Sequence, residues 1–183
     1  MVTSSRRAEV FAGAGPDRRF GGPGTAGERS MLIDFLGDQR ATLEMKCAGL
    51  EGELARRSVE PSTLSLLGLV RHLAEVERRW FRRVLAGHDA SPLFCSGDNA
   101  DGDFDTVDCG PETVAASWAA WRAEVAFADR LVGEAPHLDI NGHDAWRGTV
   151  SLRWVLIHMI EEYARHNGHA DLLRERIDGS RGL

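Results

Sequence analysis

Apolar residues return at helical intervals along four stretches of the chain. Leu32, Phe35, Leu36, Leu43 and Leu50 recur through a proline-free segment beginning at Met31, which predicts a first helix over about 30–47. Pro61-Ser62-Thr63 supplies a helix start with side-chain oxygens able to cap free N–H groups, and the second helix is predicted to run from there to about Leu85. Pro111 suits a first helical turn, and Val114, Trp118, Trp121, Val125 and Val132 follow at spacings of three, four and seven, predicting a third helix over about 111–133. Ser151 is a capping residue for the fourth. Its apolar positions Leu152, Val155, Met159, Tyr163, Ala170, Leu173 and Ile177 keep the period to Gly179, the expected C-terminal stop.

Four long amphipathic helices with almost no strand-like alternation predict an all-α domain, because each apolar stripe must be buried against another helix. The expected architecture is a four-helix bundle over 31–183 with a flexible N-terminal extension over 1–30. Gly49 to Pro61 and Gly133 to Gly148 read as loops. Gly87 to Gly110 reads as a long, solvated crossover able to traverse the bundle, so a simple up-down-up-down order is not required. Its aspartates at 98, 101, 103, 105 and 108 lack the central glycine and the closing bidentate glutamate of a calcium-binding loop.

Composition narrows the function classes. No apolar run approaches the roughly 20 residues needed to span a bilayer, so no membrane role is expected. Against 28 acidic residues there are 22 Lys and Arg, and the formal charge of −6 argues against a nucleic-acid partner, which needs a basic face. Cys47, Cys95 and Cys109 are odd in number and form no CxxC pair, so neither a disulfide framework nor a thiolate zinc site is indicated and a cytoplasmic setting fits best. Arg6-Arg7 and Arg18-Arg19 stand among Gly, Ala and Pro with no continuous apolar stretch after them, and the segment reads as a solvated tail.

The chemistry concentrates on the fourth helix. At about 100° per residue, Glu162 and His166 project into the middle of its apolar stripe, close to the line through Val155 and Leu173. An ionised carboxylate in hydrocarbon costs several kcal/mol without a partner, so something must compensate Glu162. Side chains four apart reach the same ion, and carboxylate with imidazole suits zinc, nickel, iron or manganese better than calcium or magnesium. His72, at the edge of the stripe formed by Leu69, Leu73, Val76 and Trp80, is the candidate third ligand from a facing helix. A buried Glu–His hydrogen-bonded pair without metal is the alternative reading of the same spacing.

Neighbouring groups carry weaker signals. Glu75 and Glu77 are candidates for orienting the His72 ring, against ordinary surface pairing with the arginines at 78, 79, 82 and 83. His158 and His169 lie off the stripe centre and fit supporting, substrate-facing or boundary roles, while His88, His137 and His143 fall in loops and are expected in solvent. The five tryptophans, at 80, 118, 121, 146 and 154, read as core or pocket wall. No phosphate loop, nucleophile elbow or H-E-x-x-H motif occurs.

Three stretches carry a family resemblance. They are Pro61 to Leu73 with the sequence PSTLSLLGLVRHL, then Glu77 with Trp80-Phe81, and His158 to Asp171 with the sequence HMIEEYARHNGHAD. Over about 31–179 the chain resembles the DinB-like metalloprotein superfamily, in particular the branch related to mycothiol-dependent enzymes. Many members carry His-x-x-x-His in the last helix. Glu162 takes the place of the earlier histidine here, a departure that resembles the His, Glu, His site of mycothiol-dependent maleylpyruvate isomerase.

The resemblance implies His72, Glu162 and His166 as ligands of a divalent metal, zinc first, with water completing the shell. It also implies a thiol-cofactor transferase or isomerase of mycothiol type acting on a small electrophilic molecule. Arg165 or Arg153 is a candidate for carboxylate recognition, although solvent exposure is the default for both. The alternative class is a non-catalytic metal-dependent binding or stress-resistance protein, with a homodimer formed through exposed helix faces. No local feature identifies the electrophile.

Overall fold

A computed structural model describes residue 19 and residues 21–49, 52–105 and 108–180. Four long helices are present: α1 at Glu28–Cys47, α3 at Leu66–Glu77, α4 at Pro111–Glu134 and α5 at Leu152–Asp178. A single-turn helix α2, Glu53–Arg56, precedes α3, which continues to Leu85 with wider π-helical winding over Arg78–Leu85. The all-α expectation holds, with one local exception. The segment read as a loop before the last helix contains a small antiparallel hairpin, β1 at Asn141–Asp144 paired with β2 at Gly148–Ser151.

Contacts between side chains fix the helix directions. Arg153 meets Glu28, Asn167 donates to the Gln39 carbonyl and Arg174 donates to the Lys46 carbonyl, so α1 and α5 run parallel. Arg78 meets Glu124 and the Arg82 guanidinium lies 3.9 Å over the Phe127 ring, so α3 and α4 also run parallel. Arg40 with Glu77, and Trp80 with Trp154, set the two pairs antiparallel. The order is up, down, down, up, and the crossover from Gly87 to Gly110 is what allows α3 and α4 to share a direction.

Helix ends follow local chemistry. Ser151 accepts the Trp154 N–H at 3.2 Å and Gly179 closes α5 with φ of 78°, as the sequence predicts. The start of α3 differs: Ser65, which accepts the Gly68 N–H at 3.1 Å, is the cap, and Pro61 to Thr63 lie before the helix. On α1, Leu36 and Leu43 are buried, but Phe35 is 54% exposed and faces solvent. Leu50 lies outside the described residues.

Most of the proposed tail, residues 1–18 and 20, also lies outside the described residues. Arg19 does not behave as tail. It is buried, and its Nη1 donates to Thr42 Oγ1 at 3.2 Å on α1.

The hairpin seats on the π-wound end of α3. A Cβ at Gly142 would stand 2.1 Å from the Val84 carbonyl oxygen, so only glycine allows the two backbones to approach. Gly142→Ala is expected to lower stability by about 1–3 kcal/mol, the usual cost of overpacking. An unchanged urea midpoint would contradict this packing. Among the described residues no helix is long and apolar enough to cross a membrane.

Candidate metal centre

His72 arrives on α3, about two turns past the capped start of that helix, while Glu162 and His166 arrive on successive turns of α5. The three stand together: one ligand atom from each lies within 4.8 Å of the others. Both imidazole Nε2 atoms are 3.3 Å from the same Glu162 oxygen. His166 is nearly buried, whereas the His72 and Glu162 side chains are 20% and 17% exposed, so the cluster opens to solvent on one side.

The separations bear on what the cluster holds. Charge-assisted hydrogen bonds contract to about 2.7–2.9 Å, and the partner of His72 Nδ1 does so at 2.8 Å. The two Nε2–carboxylate separations do not. Ligands about 2.1 Å from a tetrahedral zinc ion lie roughly 3.4 Å apart along the edges of the tetrahedron. The 3.3 Å spacings fit that edge.

Electrostatics favours a cation at the same point. Hydrogen bonds from His166 and then His72 outweigh burial and hold the Glu162 carboxyl well below its usual range. Burial pushes the His72 imidazolium down, but the hydrogen bonds and charges of Asp103 and Glu162 prevail and lift it to about 9. A divalent ion in place of the His72 proton would meet the same two carboxylates, Glu162 and Asp103, that hold that proton. The donor set, spacing and charge therefore fit a divalent metal.

Asp103 is the neighbour of this cluster that sequence reasoning missed. Its Oδ2 accepts the His72 Nδ1–H at 2.8 Å, which fixes the ring with Nε2 aimed at Glu162. Burial raises the Asp103 carboxyl, and the His72 imidazole overcomes that and holds it low. Asp103 is 5% exposed within a crossover expected to be solvated. Its spacing does not distinguish it from the other loop aspartates; the only hint is Phe104 beside it, which stacks on the His72 ring at 4.6 Å.

The two glutamates proposed for that orienting role do other work. Glu75 accepts the Phe94 and Cys95 N–H groups at 2.6 and 3.1 Å, binding the crossover to α3. Arg71 adds a second tie: it donates to the Gly102 carbonyl at 2.7 Å and lies 4.3 Å over the Phe94 ring. Glu77 is fully buried and pairs with Arg40 at 2.7 Å, so surface pairing with the nearby arginines does not occur either. Arg78 and Arg82 instead meet Glu124, and Arg79 meets Asp144.

His169 Nδ1 lies 3.4 Å from His166 Nδ1 behind the cluster, on the side away from Glu162. His158, one turn before Glu162, stacks on Trp154 and meets Trp80 edge-on. Burial lowers its pKa, against the charges of Glu162 and Glu161, which raise it. His88, His137 and His143 are exposed, as expected. Arg153 is engaged by Glu28 and Asp139 and Arg165 by Glu161, so neither faces the centre as a free carboxylate receptor.

Replacing Asp103 by Ala is expected to weaken metal affinity about 10–100-fold, the usual effect of losing a ligand's hydrogen-bond partner. Helical content should stay constant. Competition against a chromogenic chelator measures the affinity, and a wild-type value would remove Asp103 from the centre.

A family model for mycothiol-S-transferase matches residues 31–179, while no curated protein matches the chain. The matched span contains His72, Asp103, Glu162 and His166, together with nearly the whole bundle. The chain belongs to the mycothiol-S-transferase family, within the DinB-like superfamily.

Proposed function

We infer that the protein transfers the sulfur of a mycothiol-type thiol to a small electrophile, at a centre where His72, Glu162 and His166 hold a divalent metal, zinc by donor set. What carries this reading is the 3.3 Å convergence of two imidazole nitrogens on one carboxylate oxygen in a chain of this family. When bound, the metal lowers the pKa of a thiol sulfur and so supplies thiolate near neutral pH. The reaction forms one S–C bond at the electrophile; in a substitution the thiol proton departs with the leaving group, and in an addition it ends on the electrophile.

The chain's own residues prepare that event. Asp103 holds the proton on His72 Nδ1 and so keeps the opposite nitrogen free as a donor. Phe104 covers one face of His72, and the ring itself is only 20% exposed, which limits water at the centre. The protein's cysteines are all free, and Cys47 is buried with its thiol pushed up to about 12 by burial, a poor nucleophile. On this reading the sulfur comes from a small thiol, and a cytoplasmic setting, where such thiols stay reduced, belongs to the same proposal.

Zinc-loaded protein incubated with mycothiol and a generic alkylating electrophile is expected to give an S-conjugate over many turnovers, read by mass spectrometry. Chelation should abolish it. Tight capture of one ligand per chain without conjugate would point instead to a binding protein.

A further inference from the structure

The stripe of α3 that carries His72 also carries Gly68, Arg71 and Glu75, at positions i, i+3, i+4 and i+7 of one helix face. The crossover lies along this stripe. Running antiparallel to α3, it sets Phe94 and Cys95 beside Glu75, Gly102 beside Arg71, Asp103 beside His72 and Phe104 over both His72 and Gly68. One face of the helix thus supplies a candidate ligand and the seat of the segment that orients it.

That segment is a stiff link. Ser96 N–H donates to the Asn99 carbonyl at 2.8 Å, and the Phe104 and Asp105 N–H groups donate to the Asp101 carbonyl at 2.9 and 3.0 Å, so each limb is closed by its own turn. A Cβ at Gly102 would collide with the Phe94 carbonyl oxygen, so the two limbs touch backbone to backbone. The Arg71 guanidinium closes the same joint, lying over the Phe94 ring and donating to the Gly102 carbonyl. Asp103 then accepts the Phe104 N–H on Oδ1 at 3.1 Å and the His72 Nδ1–H on Oδ2. Where Phe94 moves, Gly102 and Asp103 follow.

Glu75 anchors the first limb through a single atom. Its Oε1 accepts both the Phe94 and the Cys95 N–H, at 2.6 and 3.1 Å. Two consecutive backbone donors converging on one carboxylate oxygen fix the direction of the limb as well as its position.

We propose that Glu75, which does not itself touch the His72 ring, is a positioning residue of the metal centre, acting through the crossover on Asp103 and through Asp103 on His72. The inference rests on the metal-centre reading above. Without the anchor the Phe94 limb lifts, Gly102 loses its seat, and the Asp103 carboxylate no longer holds His72 with Nε2 aimed at Glu162. Because only one oxygen of Glu75 is used, an amide oxygen in the same place can replace it, whereas a contribution from the carboxylate charge cannot survive that exchange.

The test measures zinc affinity by competition against a chromogenic chelator, and melting by circular dichroism, for the full chain and its variants. Glu75→Ala is expected to bind zinc about tenfold more weakly, the low end of the loss when a ligand's hydrogen-bond partner is removed. Glu75→Gln should stay close to the wild type. In an Asp103→Ala background Glu75→Ala should cost nothing further, the non-additivity of residues that act through one another. Gly102→Ala disturbs the joint without altering α3, and its loss should likewise vanish in that background; it keeps the link measurable even where Glu75→Ala fails to fold. Equal losses in Glu75→Gln and Glu75→Ala would overturn the inference in favour of a charge effect, and losses that add to that of Asp103→Ala would overturn it in favour of a general loosening. A wild type that binds no zinc rejects the metal centre and this role with it; a wild type that binds zinc while Glu75→Ala matches it rejects the role alone.

Discussion

Glu162→Gln is expected to strip the metal from an otherwise folded protein. The wild-type chain should carry about one divalent ion, and the variant's affinity should fall by more than about a hundredfold, because loss of a hydrogen-bond partner behind a ligand already costs about 10–100-fold. The amide keeps the shape of the carboxylate and one acceptor oxygen but removes the charge that compensates the ion. His72→Gln and His166→Gln should lose metal to a similar extent. Elemental analysis after dialysis reads the stoichiometry, and thermal denaturation monitored by circular dichroism separates metal loss from unfolding. Unchanged stoichiometry in all three variants would reject the ligand assignment and leave a hydrogen-bonded Glu–His cluster, the alternative that the i, i+4 spacing permits.

The inward placement of Glu162 and His166 was legible because the last helix is strongly periodic: Val155, Met159, Tyr163, Ala170 and Leu173 are all buried, and the two polar residues interrupt that stripe. His72 was legible for the same reason on α3. Asp103 was not. Position in a loop has no period, so burial there is set by tertiary contacts, here the ties from Glu75 to Phe94 and from Arg71 to Gly102. The hairpin escaped notice because its residues are mostly exposed and show little apolar alternation; backbone pairing and the approach of Gly142 to Val84 define it.

Glu77 shows the complementary failure. An arginine-rich surround makes a glutamate read as surface charge, yet Glu77 is fully buried, and its partner Arg40 was not among the candidate residues. Periodicity marks which face of a helix is apolar but gives no account of a charge that pairs with a different helix. The four long helices each contribute one side chain to this buried group. Arg40 on α1 donates twice to Glu77 on α3, both at 2.7 Å, and Tyr163 on α5 donates to Glu77 at 2.8 Å. Trp121 on α4 donates to the Tyr163 hydroxyl at 2.8 Å. Because Tyr163 adjoins Glu162, and Glu77 lies five residues after His72, the group fixes how α5 is turned against α3. The spacing of His72, Glu162 and His166 depends on that register.

Arg40→Met should therefore be the most destabilising single change away from the centre. The substitution leaves Glu77 buried with its tyrosine hydrogen bond but without its counter-charge, a loss that costs about 3–5 kcal/mol when one partner of a buried pair is removed. For a domain of this size that corresponds to a fall of roughly 6–20 °C in Tm. Arg40 also donates to Asp129 at 2.8 Å, but Asp129 is 62% exposed and that contact adds little. Replacing both partners, Arg40→Met with Glu77→Leu, removes the uncompensated charge and should recover much of the stability, since apolar replacement of a buried pair is often neutral or better. Urea denaturation of the wild type, both single variants and the double variant yields the coupling energy. Additive losses would show that the pair does not act as a unit. The double variant carries a second consequence for the site: with Tyr163 left without its carboxylate acceptor, α5 loses its rotational stop, and metal affinity should drop even where stability returns. Recovery of stability together with wild-type metal affinity would show that packing alone sets the register of His72 against Glu162 and His166.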